Sequence, residues 1–257
     1  MMEERVRALV KRERPALLEN TDSVAKAVIT RPHRGMTVAL GLLSLGEISE
    51  ARQWLRALTD ECVVYADEKW DAKYKQSPRG PASPGPWEDY LNGVFSSLLS
   101  RHDTENTSRE ILDRATNSFV DDLENRRFAH EIGVVRILAG YITESEDIVD
   151  YTTQLESNVQ EYGGEWELSR YLPYTLVIRG LQAESKSDVS KGISGLLTFH
   201  RKHIVESSDA DAVQKAVALD ATVMLALARL EGMDITVEHE AIPDALNDDE
   251  HYPIGGE

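Results

Sequence analysis

Residues 188–247 read DVSKGISGLLTFHRKHIVESSDADAVQKAVALDATVMLALARLEGMDITVEHEAIPDALN and carry the strongest structural pattern in the chain. Within them, residues 212–230 have apolar side chains at helical spacing and on most of the other faces as well. A helix that is apolar nearly all round lies between other elements of a protein rather than on its surface. The segment is too short to cross a membrane, and Asp220 lies too near its centre. We therefore predict a buried central helix over residues 212–230.

Start and stop signals are present on both sides of this helix. The polar residues at 207–209 are candidate N-caps, and Gly232 is expected to end the helix in a left-handed conformation. A short extended segment, residues 235–237, follows the glycine. Gly192 and Gly195 fall within the preceding helical pattern, so we expect them to permit close helix packing rather than to cradle a phosphate.

The composition is acidic. Asp and Glu total 45 against 28 Lys and Arg, which gives a formal net charge of −17, and nine of the basic residues are Lys. An even spread of acids with little Lys is typical of a halophilic surface, and the competing interpretation is an acidic face made for a basic partner. Binding to nucleic acid is disfavoured because phosphate contacts need clustered Lys and Arg. Cys62 is alone, which excludes an internal disulfide and a cysteine-based zinc site.

The beginning of the chain carries no targeting signal. Residues 1–20, MMEERVRALVKRERPALLEN, are charged and lack the apolar region of a signal peptide. No segment approaches the length of a transmembrane helix. We expect a cytoplasmic protein that does not associate with membranes.

Helical periodicity continues over most of the chain, and strand-like alternation is nearly absent. Capping boxes at Thr107 and Thr143 are predicted to start helices, whereas Pro15 and Pro173 are predicted to interrupt or begin them. The remaining helical patterns cover residues 3–18, 22–29, 36–45, 48–66, 87–99, 128–142, 147–159 and 167–181. The sequence thus predicts an all-α fold, a single domain over residues 1–247 with about ten helices packed as antiparallel, repeat-like pairs.

Two segments are expected outside the helices. Residues 76–86, QSPRGPASPGP, are predicted to form an exposed loop, although their P-x-x-P spacing also fits an SH3-type ligand. Residues 248–257 are polar and contain Pro and Gly, so we predict a flexible tail.

The histidines are the first candidates for chemistry. His200 and His203 lie one helical turn apart, but zinc sites on helices usually use H-x-x-x-H with a third ligand. We favour a basic cluster at a helix end, and we expect His130 to be a satisfied polar residue at a helix interface. A nucleophile elbow, a P-loop and a dinucleotide motif are all missing from the sequence. We therefore expect no enzyme, cofactor or metal; an enzyme or metal protein centred on His200 and His203 is the least favoured alternative.

Aromatic residues are the better candidates for a binding surface. Trp166, Tyr171 and Tyr174 form one cluster, and a second flanks the Pro-rich loop: Trp70, Tyr74, Trp87 and Tyr90. Exposed Trp and Tyr anchor protein interfaces, whereas the same residues inside the protein would separate helices. Both interpretations stay open at this point.

The quoted stretch resembles the C-terminal part of the immunity protein 49 family. A helix ending in LLTFHRKH is followed by an acidic spacer, an apolar small-residue helix over residues 217–230, Gly232, the I-x-V-E segment 235–238 and the Ile-Pro pair 242–243. The resemblance covers about the last quarter of the chain, and the Pro-rich loop has no counterpart in it.

This resemblance implies a protein that binds and neutralises a cognate polymorphic toxin domain by stoichiometric occlusion. His200 and Glu238 are the candidate partner-binding residues at positions that resemble the family, and Trp166 and Tyr171 are the aromatic candidates. The alternative is a helical-repeat scaffold or regulatory adaptor that binds peptides or proteins. A homodimer also stays open, since two-fold dimers are common among soluble proteins.

Overall fold

The computed structural model describes residues 1–19, 24, 32–73, 87–116 and 129–255. Within these residues every regular element is helical, which confirms the predicted all-α class. Two further helical turns are a π-helical turn over His200–Val205 and a 3₁₀ turn over Asp244–Asn247. The described part of the chain contains eleven α-helices: α1 (Met2–Leu18), α2 (Pro32–Ser44), α3 (Ile48–Lys73), α4 (Trp87–Ser100), α5 (Thr104–Ala115), α6 (Ala129–Ile142), α7 (Ile148–Tyr162), α8 (Glu165–Gln182), α9 (Lys186–Phe199), α10 (Ala212–Ala216) and α11 (Leu219–Leu230).

Neighbouring helices pack as antiparallel pairs, as predicted. Helix α2 packs on α3, α3 on α4, α5 on α6, α6 on α7, and α8 on α9. None of the helices in the described ranges combines the length and the apolar character that crossing a bilayer requires. The predicted helix at 22–29 and the predicted loop at 76–86 lie outside the described residues, except for Val24.

Helices α8 and α9 pack closely against each other. A Cβ atom on Gly192 would lie 2.5 Å from Val177 Cγ2 and 2.8 Å from the Pro173 carbonyl oxygen. A Cβ on Gly195 would lie 2.9 Å from Pro173 Cγ. The two glycines therefore serve close packing, as predicted. Helix α8 continues through Pro173 and α1 continues through Pro15, so neither proline breaks its helix.

Helix α11 forms the centre of the structure. Residues 221–229 are all buried, and the helix packs against α4, α8 and α9. This confirms the predicted buried helix but corrects its length, because the backbone leaves the helical conformation at Val217 and Ala218. The Ala218 amide donates to the Ala241 carbonyl at 2.9 Å, a tertiary hydrogen bond that replaces a helical one.

The start of α10 also differs from the prediction. Its N-cap is Asp211, whose carboxylate accepts from the amides of Val213 and Gln214, both at 2.8 Å. The Gln214 side chain in turn accepts from the Asp211 amide at 2.9 Å, which completes a capping box. The polar residues at 207–209 lie before this cap and do not start the helix.

The end of α11 is fixed by a glycine and an arginine. Gly232 has a φ of 80°, the left-handed conformation predicted for it. Arg229 is only 1% exposed. Its guanidinium donates from Nε to the Tyr252 carbonyl at 2.9 Å and from Nη1 to the Ile235 carbonyl at 3.2 Å, and it forms an ion pair with Asp249. One buried side chain thus holds both segments that follow α11.

Residues of the predicted flexible tail at 248–257 pack against the helices as far as residue 255, and residues 256–257 lie outside the described residues. Tyr252 is fully buried, and its hydroxyl donates to the Leu99 carbonyl at 2.6 Å. Arg101 donates to the Pro253 carbonyl at 2.8 Å. The tail's polar and Pro/Gly-rich composition predicted flexibility. It did not reveal that Tyr252 would be buried or that arginines would bind the tail's backbone carbonyls.

We predict that this tail contributes to stability. Tyr252→Phe removes the hydrogen bond to Leu99 and should lower the free energy of unfolding by about 1 kcal/mol. Tyr252→Ala also leaves a cavity and should lower it by about 3–5 kcal/mol. Urea unfolding measures both. Glu250→Ala, at an exposed position of the same tail, is the control and should change little; equal midpoints for all four proteins would mean that the tail is flexible.

Candidate functional site

A cleft of about 390 Å³ opens beside α11. It lies between α4, the first turns of α8, the end of α9 with its π-helical turn, and the link from α10 to α11. Its apolar lining includes Leu91, Phe95, Leu196, Phe199, Ile204 and Val217, and its polar lining includes Glu88, Asn92, Asp209 and Gln214. Apolar walls with a few polar groups are the usual composition of a binding site.

An aromatic stack forms one edge of the cleft. The Trp166 ring meets Phe199 edge-on at 5.2 Å between centroids and Tyr171 edge-on at 5.9 Å. The His203 ring also packs against Phe199, at 5.1 Å between centroids. The π-helical turn begins directly after Phe199, and such turns frequently occur at functional sites. Trp166 remains 37% exposed, so the stack presents one fixed indole to solvent.

A salt bridge supports this stack from beneath. Arg170 Nε donates to Asp220 Oδ2 at 2.9 Å, and Arg170 Nη2 donates to Asp220 Oδ1 at 3.4 Å. The Arg170 guanidinium carbon lies 5.3 Å from the Trp166 ring centre and 5.8 Å from that of Phe199. Burial opposes the charge on Arg170, but the Asp220 carboxylate and the neighbouring Tyr171 and Tyr174 together outweigh it and raise the pKa of Arg170 above its usual range. The arginine is therefore charged, and it joins α8, α9 and α11.

His200 forms the inner wall of the cleft. It is 5% exposed, and its Nε2 lies 2.8 Å from the Gln214 carbonyl oxygen, to which it donates as neutral imidazole. Burial lowers the pKa of His200 below its ordinary value, against the opposing effects of the Gln214 carbonyl and Asp220. A second cleft of about 570 Å³, lined by α1, the end of α2 and residues 239–241, lies on the other side of the same imidazole.

His203 and His130 each have a separate structural partner. His203 Nε2 lies 3.4 Å from Ser169 Oγ, so it does not share a ligand position with His200. His130 is buried and its Nε2 lies 3.2 Å from the Asn158 carbonyl oxygen, which confirms its prediction as a satisfied interface residue. Among the residues that the structure describes, no group of three or more His, Cys, Asp or Glu side chains is arranged to hold a metal ion.

The structure places two of the four predicted site residues in the lining of this cleft. Trp166 lies on its edge and His200 in its wall, both among the lining residues. Tyr171 is only 3% exposed and packs beneath Trp166, so it supports the indole rather than offering its own ring to a partner. Glu238 is exposed in the extended segment after Gly232 and does not line the cleft.

The second aromatic cluster belongs to the core where it can be described. Trp87 and Tyr90 are 1% and 2% exposed, and the Trp70 side chain and Tyr74 lie outside the described residues.

The sequence interpretation missed the roles of Arg170 and Phe199. A charged Asp220 within so apolar a helix was the available signal, because a buried carboxylate requires a cationic partner.

Comparison of the chain with family models, with curated proteins and with solved structures found no significant match.

We predict that Arg170 and Asp220 stabilise the fold only when both are present. Arg170→Met leaves the carboxylate of Asp220 largely buried without a partner and should lower the free energy of unfolding by about 2–4 kcal/mol. The double variant Arg170→Met with Asp220→Leu removes both charges and should recover most of that loss. Chemical denaturation measures the three proteins. A double variant less stable than the single variant would contradict the prediction that Arg170 mainly compensates the buried charge of Asp220.

His200 should make stability dependent on pH. The pKa of His200 is lowered in the folded protein, whereas in the unfolded chain it lies near about 6.5. The unfolded state therefore binds the proton more readily, so this contribution is complete above about pH 6.5 and is lost as the pH falls through that value. His200→Gln keeps a donor for the Gln214 carbonyl but cannot titrate, so stability should fall less steeply between about pH 7 and pH 5.

The matched control for His200 is the exposed His102. His102→Gln should leave the pH dependence of the unfolding free energy as in the wild type, measured by urea unfolding across the same pH range. Identical slopes for the wild type and His200→Gln would contradict the assignment.

Proposed function

We propose that this chain is an immunity protein that binds a cognate polymorphic toxin domain and neutralises it by stoichiometric occlusion, without turnover. The observation that carries the proposal is the cleft edged by Trp166, where a fixed and partly exposed indole stands beside an apolar depression. The resemblance of residues 188–247 to the immunity protein 49 family supports the same function.

The indole has the properties of an interface anchor. Trp and Arg dominate the binding energy of protein interfaces, most strongly where a pocket excludes water. Here Phe199 and Tyr171 hold the Trp166 ring by edge-on contacts, and Arg170 lies beneath it. A side chain that is already ordered loses little conformational entropy when a partner binds. The stack is therefore suited to tight binding without rearrangement.

The charge distribution favours a basic partner. Glu88 and Asp209 are exposed on the rim of the cleft, while the cation of Arg170 is neutralised by Asp220. The whole chain carries a formal net charge of −17. Acidic residues around an apolar site speed the encounter with a basic protein and discourage other acidic proteins. A toxin domain that acts on nucleic acid would supply such a basic surface, and the cytoplasm is the compartment in which we expect the two to meet.

The alternative function, a scaffold for peptides, would require a binding site of a different shape. An extended peptide needs a groove that continues along several helices, whereas this cleft has a volume of about 390 Å³ and is bounded by the link from α10 to α11. That volume suits a few side chains of a folded partner. The immunity function is accordingly the one that the cleft supports better.

The direct experiment is affinity capture of the tagged protein from its own cells at their native salt concentration, followed by mass spectrometry. The proposal predicts one large multidomain protein whose isolated C-terminal domain is toxic and binds the chain in equimolar amount. Co-expression should relieve that toxicity. Failure to relieve it would overturn the proposal, and capture of several unrelated proteins would favour the scaffold.

We predict that Trp166 dominates the affinity for this toxin domain. Trp166→Ala should weaken binding at least about thirtyfold, mainly through faster dissociation, because truncating an interface anchor costs about 2 kcal/mol or more. Surface plasmon resonance measures the dissociation rates. Tyr162 on α7 is the matched control, since it is 41% exposed against 37% for Trp166 but does not line the cleft. Equal effects of Trp166→Ala and Tyr162→Ala would place the interface elsewhere.

A further inference from the structure

A polar pocket lies between α3 and the folded C-terminal tail. Its residues differ from those that line the cleft that Trp166 edges. Its volume is about 300 Å³, and it is lined by Ile48, Ser49, Arg52, Gln53, Arg56 and His251. The two arginines are four residues apart and so share one face of α3. Two guanidinium groups and an imidazole thus surround one depression in a chain whose formal net charge is −17.

The two arginines lack carboxylate partners. Within the described residues neither Arg52 nor Arg56 forms an ion pair, although Arg14 on α1 and Glu50 on α3 pair at 2.8 Å. Arg52 donates to the His251 carbonyl and lies over the Tyr252 ring at 5.1 Å. Its Nε is buried and has no hydrogen-bond partner in the described part of the chain. Among the described residues Arg52 thus keeps an unused donor and has no acidic partner.

Positive charge also accumulates behind the pocket. Burial lowers the pKa of Arg101, and the neighbouring charges of Arg52 and Arg229 lower it further. Arg101 and Arg229 are accounted for, because they bind the carbonyls of Pro253 and Tyr252. Two carboxylates of the tail are also engaged: Asp249 pairs with Arg229, and Asp248 lies 3.9 Å from His251. No carboxylate among the described residues forms an ion pair with Arg52 or Arg56.

We propose that this pocket binds a phosphate-type oxyanion, either inorganic phosphate or the phosphate group of a small phosphomonoester. Arg52 and Arg56 would provide charge-assisted hydrogen bonds, and the planar fork of each guanidinium matches the oxygens of a tetrahedral anion. Ser49 and Gln53 add neutral donors on the same helix face. This site is independent of the proposed toxin interface, since the two clefts share no residue.

Anion binding at this place should also stabilise the tail. Arg52 connects the pocket to the His251 carbonyl and the Tyr252 ring, so a ligand that fixes Arg52 fixes the tail through it. A ligand that binds only the folded state raises the melting temperature in proportion to the logarithm of its concentration once the site is saturated.

The test is a titration of the whole chain with inorganic phosphate at constant ionic strength, with chloride as the balancing anion. Isothermal titration calorimetry should show one saturable site, and the melting temperature should rise over the same concentration range. Phenyl phosphate, titrated in parallel, distinguishes the two sources: tighter binding than inorganic phosphate indicates a phosphomonoester ligand, and weaker binding indicates the free ion.

Arg56→Gln is the decisive variant, because Arg56 is exposed and its removal does not disturb the tail. It should weaken phosphate binding about tenfold or more. Arg109→Gln makes the same change of charge on α5, where Arg109 is exposed and pairs with Glu105, and should bind phosphate as the wild type does. Absence of saturable binding to the wild type, undiminished binding to Arg56→Gln, or an equal loss in Arg109→Gln would each overturn the proposal.

Discussion

Helix α11 is buried along its length and still carries an aspartate in its first turn and an arginine in its last. Each charge complements the helix dipole at its own end, but neither could be buried on that account alone. Asp220 therefore requires a cation and Arg229 requires acceptors, and the protein supplies both from other parts of the chain. These two requirements fix the positions of the elements around the central helix.

The two ends of α11 organise two different surfaces. At the first turn, Asp220 holds Arg170, which in turn lies beneath the Trp166 and Phe199 rings and gives the proposed interface its rigid edge. At the last turn, Arg229 binds the Tyr252 carbonyl and so holds the tail in place. The tail and α3 together line the arginine-containing pocket. The function we propose and the anion site both depend on how this helix satisfies its own charges.

The sequence predicted the features that depend on local pattern. The all-α class, the burial of α11, the left-handed Gly232 and the close packing at Gly192 all follow from periodicity or from the stereochemistry of glycine, and the structure confirms them. The errors concern tertiary contacts that no local pattern encodes. The break before α11 arises from a hydrogen bond between Ala218 and Ala241, which places Asp220 in a first turn rather than in mid-helix.

The candidate site was predictable only in part, because sequence composition identifies residue types but not their tertiary contacts. Aromatic composition identified Trp166, but it could not separate an exposed ring from the buried Tyr171 five residues later. Resemblance placed Glu238 with His200, whereas the structure leaves Glu238 on the extended segment away from the cleft. The long-range pair between Arg170 and Asp220 joins residues fifty positions apart and could be inferred only as the need for some cation.

The proposed interface is tested most directly by hydrogen–deuterium exchange of the chain with and without its isolated toxin domain. The account predicts new protection concentrated in residues 165–171 and 199–211, the two segments that edge the cleft, with the exposed face of α7 unchanged. Protection confined to α7, or protection that avoids both cleft segments, would contradict it.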